Sequence, residues 1–314
     1  MGMKYIVTGG AGFIGSHIVE ELVQQGKEVV IIDNFFTGKK ENISPFLEKV
    51  KVVKGSVEDK KLLSKTIEEG DIILHQAALR SVPSSFENPE AYNNVNINGT
   101  FHVLEVAHEK KADRVVFASS SSVYGDSKIC PQQENLPPSP KSPYALTKYA
   151  GEIYCKIFYE YYGLKTIALR YFNVFGPRQD PHSQYAALIP LFIEAVAQNR
   201  PPAIHWDGNQ SRDFTYVKNV VRANLAAAHT KKGFGEVFNV ADGKSVSVNE
   251  VLLKINAILG KNVKGHITGT ARAGDIRKTQ GDPGKAKKIL NYVSKYSFDD
   301  GLKETIKWYK ASHG

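Results

Sequence analysis

Gly9-Gly10-Ala11-Gly12-Phe13-Ile14-Gly15 lies between a β-branched run, Tyr5–Thr8, and an amphipathic stretch, Ile14–Gln25. Glycines at 9, 12 and 15 allow a tight turn, the close approach of a pyrophosphate and close packing of a helix on a sheet. The helix that opens here offers unpaired N–H groups and the positive end of its dipole to phosphates. A carboxylate answers this turn. Asp33 ends the next β-branched run, Val29–Asp33, 18 residues past Gly15, where it can take the ribose hydroxyls of a dinucleotide. No Arg adjoins Asp33, so a 2′-phosphate would meet repulsion, and NAD is expected over NADP. Thr37-Gly38-Lys39 forms the following turn and is expected to touch the adenosine ribose.

Further along, the strand-like runs Lys51–Lys54, Ile72–Gln76 and Arg114–Ser119 alternate with the helical stretches Leu62–Glu68 and Asn96–His108. This alternation predicts an α/β fold, a Rossmann-type doubly wound parallel sheet with a smaller C-terminal substrate-binding lobe. Cys130–Pro143 holds too many prolines for a helix or a central strand. A long helix, Tyr144–Tyr162, and a strand, Thr166–Arg170, follow. The expected division is 1–170 for the NAD-binding domain and 171–314 mainly for the second lobe, with Glu236–Val240 returning to the main sheet. Segments 171–215 and 260–285, rich in Gly, Pro, Arg and Asp, are expected to be built partly from loops.

Composition bounds the partners. The chain has 314 residues, enough for two modest lobes, with 42% apolar and 23% charged residues, a globular balance. It lacks a run of about 18 apolar residues, so no membrane span is expected. Met3-Lys4-Tyr5-Ile6-Val7 leads straight into a strand rather than a secretion signal. Cys130 and Cys155 are too few for a disulfide framework or a zinc signature, so no metal site is expected and the setting is read as cytoplasmic. The net charge of +9 is dispersed over pairs such as Lys39-Lys40, Lys60-Lys61, Lys110-Lys111 and Lys287-Lys288. No dense basic run suits a nucleic-acid arm, so no nucleic-acid partner is expected.

Tyr144 and Lys148 stand four apart on the long helix and share one face, turned toward the carboxyl ends of the strands. A free tyrosine has a pKa of about 10, and bringing it to neutrality takes about 4 kcal/mol. A lysine ammonium and the positive nicotinamide ring of NAD are expected to supply that, leaving a phenolate that accepts a hydroxyl proton while hydride leaves the same carbon. Ser119-Ser120-Ser121-Ser122 close the strand before this helix, and a hydroxyl there can bond the substrate oxygen and share its proton with Tyr144. Ser120 is assigned as catalytic and Ser122 as its helper.

These residues, with Asp33-Asn34, His75-Gln76-Ala77-Ala78, Val123-Tyr124-Gly125, Arg170-Tyr171-Phe172-Asn173-Val174-Phe175-Gly176-Pro177 and Ser211-Arg212-Asp213-Phe214, resemble the extended short-chain dehydrogenase/reductase superfamily. The match covers nearly the whole chain and looks most like the UDP-sugar 4-epimerases. In that family NAD stays bound while C4 is oxidised, the 4-keto sugar turns over, and hydride returns to the other face. The resemblance implies that Ser120, Tyr144 and Lys148 are catalytic. It implies that Asn173 holds the nucleotide diphosphate, that Arg212 and Arg272 clamp its phosphates, and that Asp275 meets the uridine ribose. An Arg fork suits a pyrophosphate on chemical grounds as well. Phe13, Ile14, Gln76, Ala77, Ala78, Asn96 and Tyr171 join the implied cofactor set. Ser56 and Val57 stand where relatives place an Asp-hydrophobic pair beside the adenine, so Ser56 weakens one polar contact there.

The related 4,6-dehydratases carry Asp-Glu after the catalytic hydroxyl residue, and the UDP-glucuronate decarboxylases a Glu at the position of Ser122. Here Ser121 and Ser122 offer no such acid, which favours simple epimerisation. Arg80, Ala187 and Thr279 resemble the wall of the group that handles N-acetylated sugars. UDP-GlcNAc/UDP-GalNAc is therefore expected, alongside UDP-Glc/UDP-Gal, since a pocket wall discriminates by only ~1–3 kcal/mol. UDP-glucuronate 4-epimerisation, another NAD-dependent sugar-nucleotide dehydration or decarboxylation, a plain dehydrogenase, and a non-catalytic NAD sensor or scaffold are the alternatives. The last commonly lacks Tyr or Lys of the pair, and both are present. The helices at Tyr92–Lys110 and Tyr144–Tyr162 have broad apolar faces, on which relatives commonly form a homodimer.

Overall fold

The computed structural model describes residues 3–180, 187–270 and 276–313. Strands β1 (Tyr5–Thr8), β2 (Val29–Asp33), β3 (Lys51–Lys54), β4 (Ile72–His75), β5 (Arg114–Ser120) and β6 (Lys165–Tyr171) are followed by two short strands of the second lobe, β7 (Ala203–Ile204) and β8 (Ser211–Asp213). The chain then returns to the main sheet as β9 (Glu236–Val240), giving seven parallel strands in the order β3-β2-β1-β4-β5-β6-β9. The expected strands appear with ends within one residue of the sequence reading, and the Rossmann-type sheet is borne out. β1, β2 and β4 are buried throughout, as strands covered on both faces must be.

Alternate residues of the sheet feed two cores. Tyr5, Val7, Ile31 and Leu74 pack against α1 (Phe13–Gln24), α8 (Val217–His229) and α10 (Gly284–Leu290). Ile6, Ile32, Ile73 and Phe117 pack on the other face, against α2 (Lys60–Thr66), α5 (Gly99–Glu109) and α6 (Pro143–Tyr162). The chain between β4 and α5 forms two short helices, α3 (Val82–Glu87) and α4 (Pro89–Tyr92), then a π-helical turn, Asn93–Asn98, where an α-helix was expected to begin. A third core lies in the second lobe, where α7 (Leu188–Ala197), α9 (Val248–Leu259) and α11 (Phe298–His313) gather around Phe175, Phe214 and Tyr216. β8 pairs antiparallel with β10 (Ser245–Ser247), and β7 pairs parallel with β11 (His266–Ile267). The return to the first lobe therefore involves α8 and α10 as well as β9. No helix of the described residues is long and apolar enough to cross a membrane.

Candidate active site

Ligands of open α/β sheets bind beyond the carboxyl ends of the strands, where the strand order reverses. Here that point lies between β1 and β4, and the Gly9 turn sits directly on it. Gly9 has φ +67°, and a Cβ there would lie 2.8 Å from the Ala77 backbone nitrogen. A Cβ on Gly15 would lie 2.1 Å from the Gly9 carbonyl oxygen, so the first turn of α1 can press against the loop only as glycine. Asp33 is buried at the tip of β2, where one carboxylate oxygen accepts the Ala11 N–H (2.9 Å) and the other the Phe35 N–H (2.8 Å). It thus holds the glycine turn itself, while each oxygen keeps lone-pair capacity for a ribose hydroxyl.

Gly9, Gly12, Phe13, Ile14, Gly15, Asp33, Asn34, Thr37, Ser56, Val57, Gln76, Ala77, Ala78, Tyr144, Lys148 and Tyr171 line one cleft, which also reaches Arg80. Two residues of the expected cofactor set stand behind its wall. Gly38 packs on Asp33, where a Cβ would lie 2.8 Å from Oδ1. Asn96 is buried and braces the loop after β4, accepting the Leu79 N–H (2.8 Å) and donating to the Leu79 carbonyl (3.0 Å) and Thr147 Oγ1 (3.0 Å). The glycine cradle and the Asp33 carboxylate fit NAD: the α1 N-terminus would hold its pyrophosphate and Asp33 its ribose. Sequence reading missed Asn224 on α8, which is fully buried. Its amide donates to the Tyr171 hydroxyl (2.8 Å) and its carbonyl accepts from Gln76 (3.1 Å), fixing two cleft residues. No local spacing announces it. Arg178 and Asp180 also line the cleft and were missed, although Arg178 directly follows the quoted Gly176-Pro177.

The residues expected to be catalytic gather near the end of β5. Ser142 caps α6 through the Ala145 N–H and Pro143 opens it, where a missing N–H does no harm. Tyr144 therefore falls in the first turn and lines the cleft. The Ser120 Oγ accepts both the Ser122 hydroxyl (2.9 Å) and the Ser122 N–H (3.2 Å), which leaves its own proton for Tyr144 or a substrate oxygen. Lys148 is buried, donates to the Ala118 carbonyl (2.8 Å) and lies 6.0 Å from the Tyr144 ring centroid. Burial pushes Lys148 down to about 7, against the pull of Glu152. Burial raises the Tyr144 phenol, and the nearby Ser120 hydroxyl draws it back. Burial thus works against a phenolate here, while Ser120 and the charge of Arg80 work for it. One turn on, Glu152 forms a bidentate pair with Arg170 (2.9 and 2.7 Å) and accepts the Ser119 hydroxyl.

Two residues past Tyr171, Asn173, with φ +24°, lines a second pocket. Ala187 and Arg212 line it, together with Leu188, Phe192, His205 and Phe214. Thr279 is buried beneath this wall, its hydroxyl oxygen accepting from Asn173 Nδ2 (3.3 Å) and the Asp213 N–H (3.4 Å). Arg272 and Asp275 lie outside the described residues.

The profile of the NAD dependent epimerase/dehydratase family matches residues 5–241, and the chain belongs to that family. A putative UDP-glucose 4-epimerase of Methanocaldococcus jannaschii is 40% identical over 97% of this chain and 98% of that protein. A UDP-N-acetylglucosamine 4-epimerase of Methanobrevibacter ruminantium, solved with UDP-N-acetylmuramic acid, superposes with a TM-score of 0.94 at 40% identity, covering 99% of both chains. The UDP-glucose 4-epimerase of Thermus thermophilus, solved with NAD, gives a TM-score of 0.90 at 34% identity over 99% of this chain and 100% of that one.

Proposed function

We propose that the protein is a UDP-sugar 4-epimerase that retains NAD, acting on UDP-GlcNAc/UDP-GalNAc and also on UDP-Glc/UDP-Gal. The observation that carries this reading is the placing of Tyr144 and Lys148, beside the β5 end that carries Ser120, in the cleft of the glycine turn and Asp33, with Asn173 and Arg212 lining a second pocket. When bound, NAD supplies the hydride acceptor and donor. Tyr144 takes the proton of the sugar 4-hydroxyl as the C4 hydride leaves, and gives it back after the 4-keto sugar has turned. Ser120 holds O4 in both orientations. A Lys148 ammonium beneath Tyr144 favours the phenolate electrostatically, as does the cationic cofactor ring. Arg212 neutralises the diphosphate, so the sugar can swing while the nucleotide stays anchored. Ser121 and Ser122 bring no carboxylate for dehydration or decarboxylation.

Leu146, Ile153, Ile157 and Tyr161 leave an exposed apolar stripe along α6, which supports a homodimer through this helix. Ile153→Glu should give a monomer by sedimentation, and an unchanged mass would remove that part of the reading. The function itself is tested by proton NMR of UDP-GlcNAc, and separately UDP-Glc, with purified protein and no added NAD. The 4-epimers are expected. Their absence, with or without added NAD, would defeat the reading.

A further inference from the structure

Asp213 ends β8 next to Arg212 and is fully buried. Its carboxylate is held by backbone N–H groups from two separate loops. The loop after β9 supplies Asp242 (2.9 Å) and Gly243 (3.0 Å), and the segment after Thr279 supplies Gly281 (3.1 Å). Its main chain is committed as well. The Asp213 N–H donates to Thr279 Oγ1 (3.4 Å), and its carbonyl accepts from Asn173 Nδ2 (3.0 Å). Asn173 follows β6, and Asp242 follows β9, so both anchors leave the carboxyl ends of adjacent strands of the main sheet. Burial lifts the carboxyl to about 7 against the pull of those donors.

We propose that Asp213 is the positioning residue of the nucleotide subsite: its carboxylate draws three segments together and so fixes the neighbouring Arg212 and Asn173 in the pocket that the diphosphate enters. The inference rests on the reading of that pocket as a UDP-sugar site. It gives Thr279 a second task, since its hydroxyl closes the same hub. Asp213 touches no reacting atom, and its effect falls on binding rather than on the chemical step.

Asp213→Asn keeps the shape but turns an amide NH2 toward backbone donors, leaving at least one of them unpaired. The KM for the UDP-sugar, and the Kd of UDP alone measured by calorimetry, should rise by ~10–100-fold. The kcat at saturation should stay within about threefold of the wild type on this account, and NAD content should not change. Thr279→Val removes one acceptor at constant volume and should show the same split with a rise of ~3–10-fold, which covers the case that Asp213→Asn does not fold. Unchanged UDP affinity in either folded variant overturns the proposal, as does a parallel loss of kcat, NAD and UDP binding. Wild-type protein that fails to bind UDP removes the functional reading itself. Wild-type protein that binds UDP and epimerises, beside variants that do the same, removes the role of Asp213 alone.

Discussion

At the glycine turn of the cofactor cleft the polar contacts are short in sequence, whereas around the proposed nucleotide pocket they are long. Asp33 grips Phe35 two residues away and Ala11 at a separation of 22. Asp213 reaches Asp242 at a separation of 29 and Gly281 at 68, and Asn173 reaches Thr279 at 106. The glycine turn and its Asp33 brace are therefore built by one β-α-β unit and its backbone. The proposed nucleotide pocket exists only when strands from both lobes have closed on one another, with a larger loop-closure entropy. Tyr144 and Lys148, the proposed catalytic pair, line the cofactor cleft from a helix whose first turn is fixed by its own Ser142 cap.

If the two sites are separate in construction, they should fail separately. The largest effect is expected at the proposed base. Tyr144→Phe should lower kcat by ~10²–10⁴-fold while NAD content and UDP affinity hold, and full activity would remove the proposed base. Gly15→Ala brings a methyl against the Gly9 carbonyl. It should weaken NAD retention by ~10–100-fold through overpacking, with UDP affinity unchanged by calorimetry. Arg212→Met should do the reverse, raising the KM for the UDP-sugar by ~10–100-fold at constant NAD content. Loss of both ligands in either variant would mean that the sites are one cooperative unit.

The smallest effect concerns the buried lysine. With Lys148 near 7 in the folded protein and 10.5 as its ordinary value, the unfolded chain holds a proton between those limits that the folded chain lacks. Stability then rises with pH across that window and is depressed below it. The wild-type minus Lys148→Met difference in unfolding free energy should climb by up to ~1.4 kcal/mol per pH unit above about 7. A flat difference would mean that Lys148 stays charged in the unliganded fold.

The contrast also explains what the sequence made legible. The glycine turn, Asp33 and the seven strands follow from local spacing and period, and Tyr144 and Lys148 share one helix face. Asn224 could not be read this way, because on α8 it is one polar residue among several until the sheet brings Gln76 and Tyr171 to it. The same holds for the Glu152–Arg170 pair, whose two members belong to different elements. Segment 171–215, expected to be built partly from loops, also contains α7. Pro190 looks like a breaker there, but it occupies the third helical position, where no intrahelical N–H partner is needed. Arg80 and Ala187 line the cleft and the pocket, but Thr279, grouped with them by resemblance, proves to be tied under Asn173.

The central claim is that hydride leaves C4 and returns to C4 without leaving the protein. UDP-GlcNAc deuterated at C4, incubated with purified protein and no added NAD, should give UDP-GalNAc that keeps its deuterium at C4, with no NADH in solution. Deuterium lost to solvent, or turnover only with added NAD and free NADH accumulating, would contradict it.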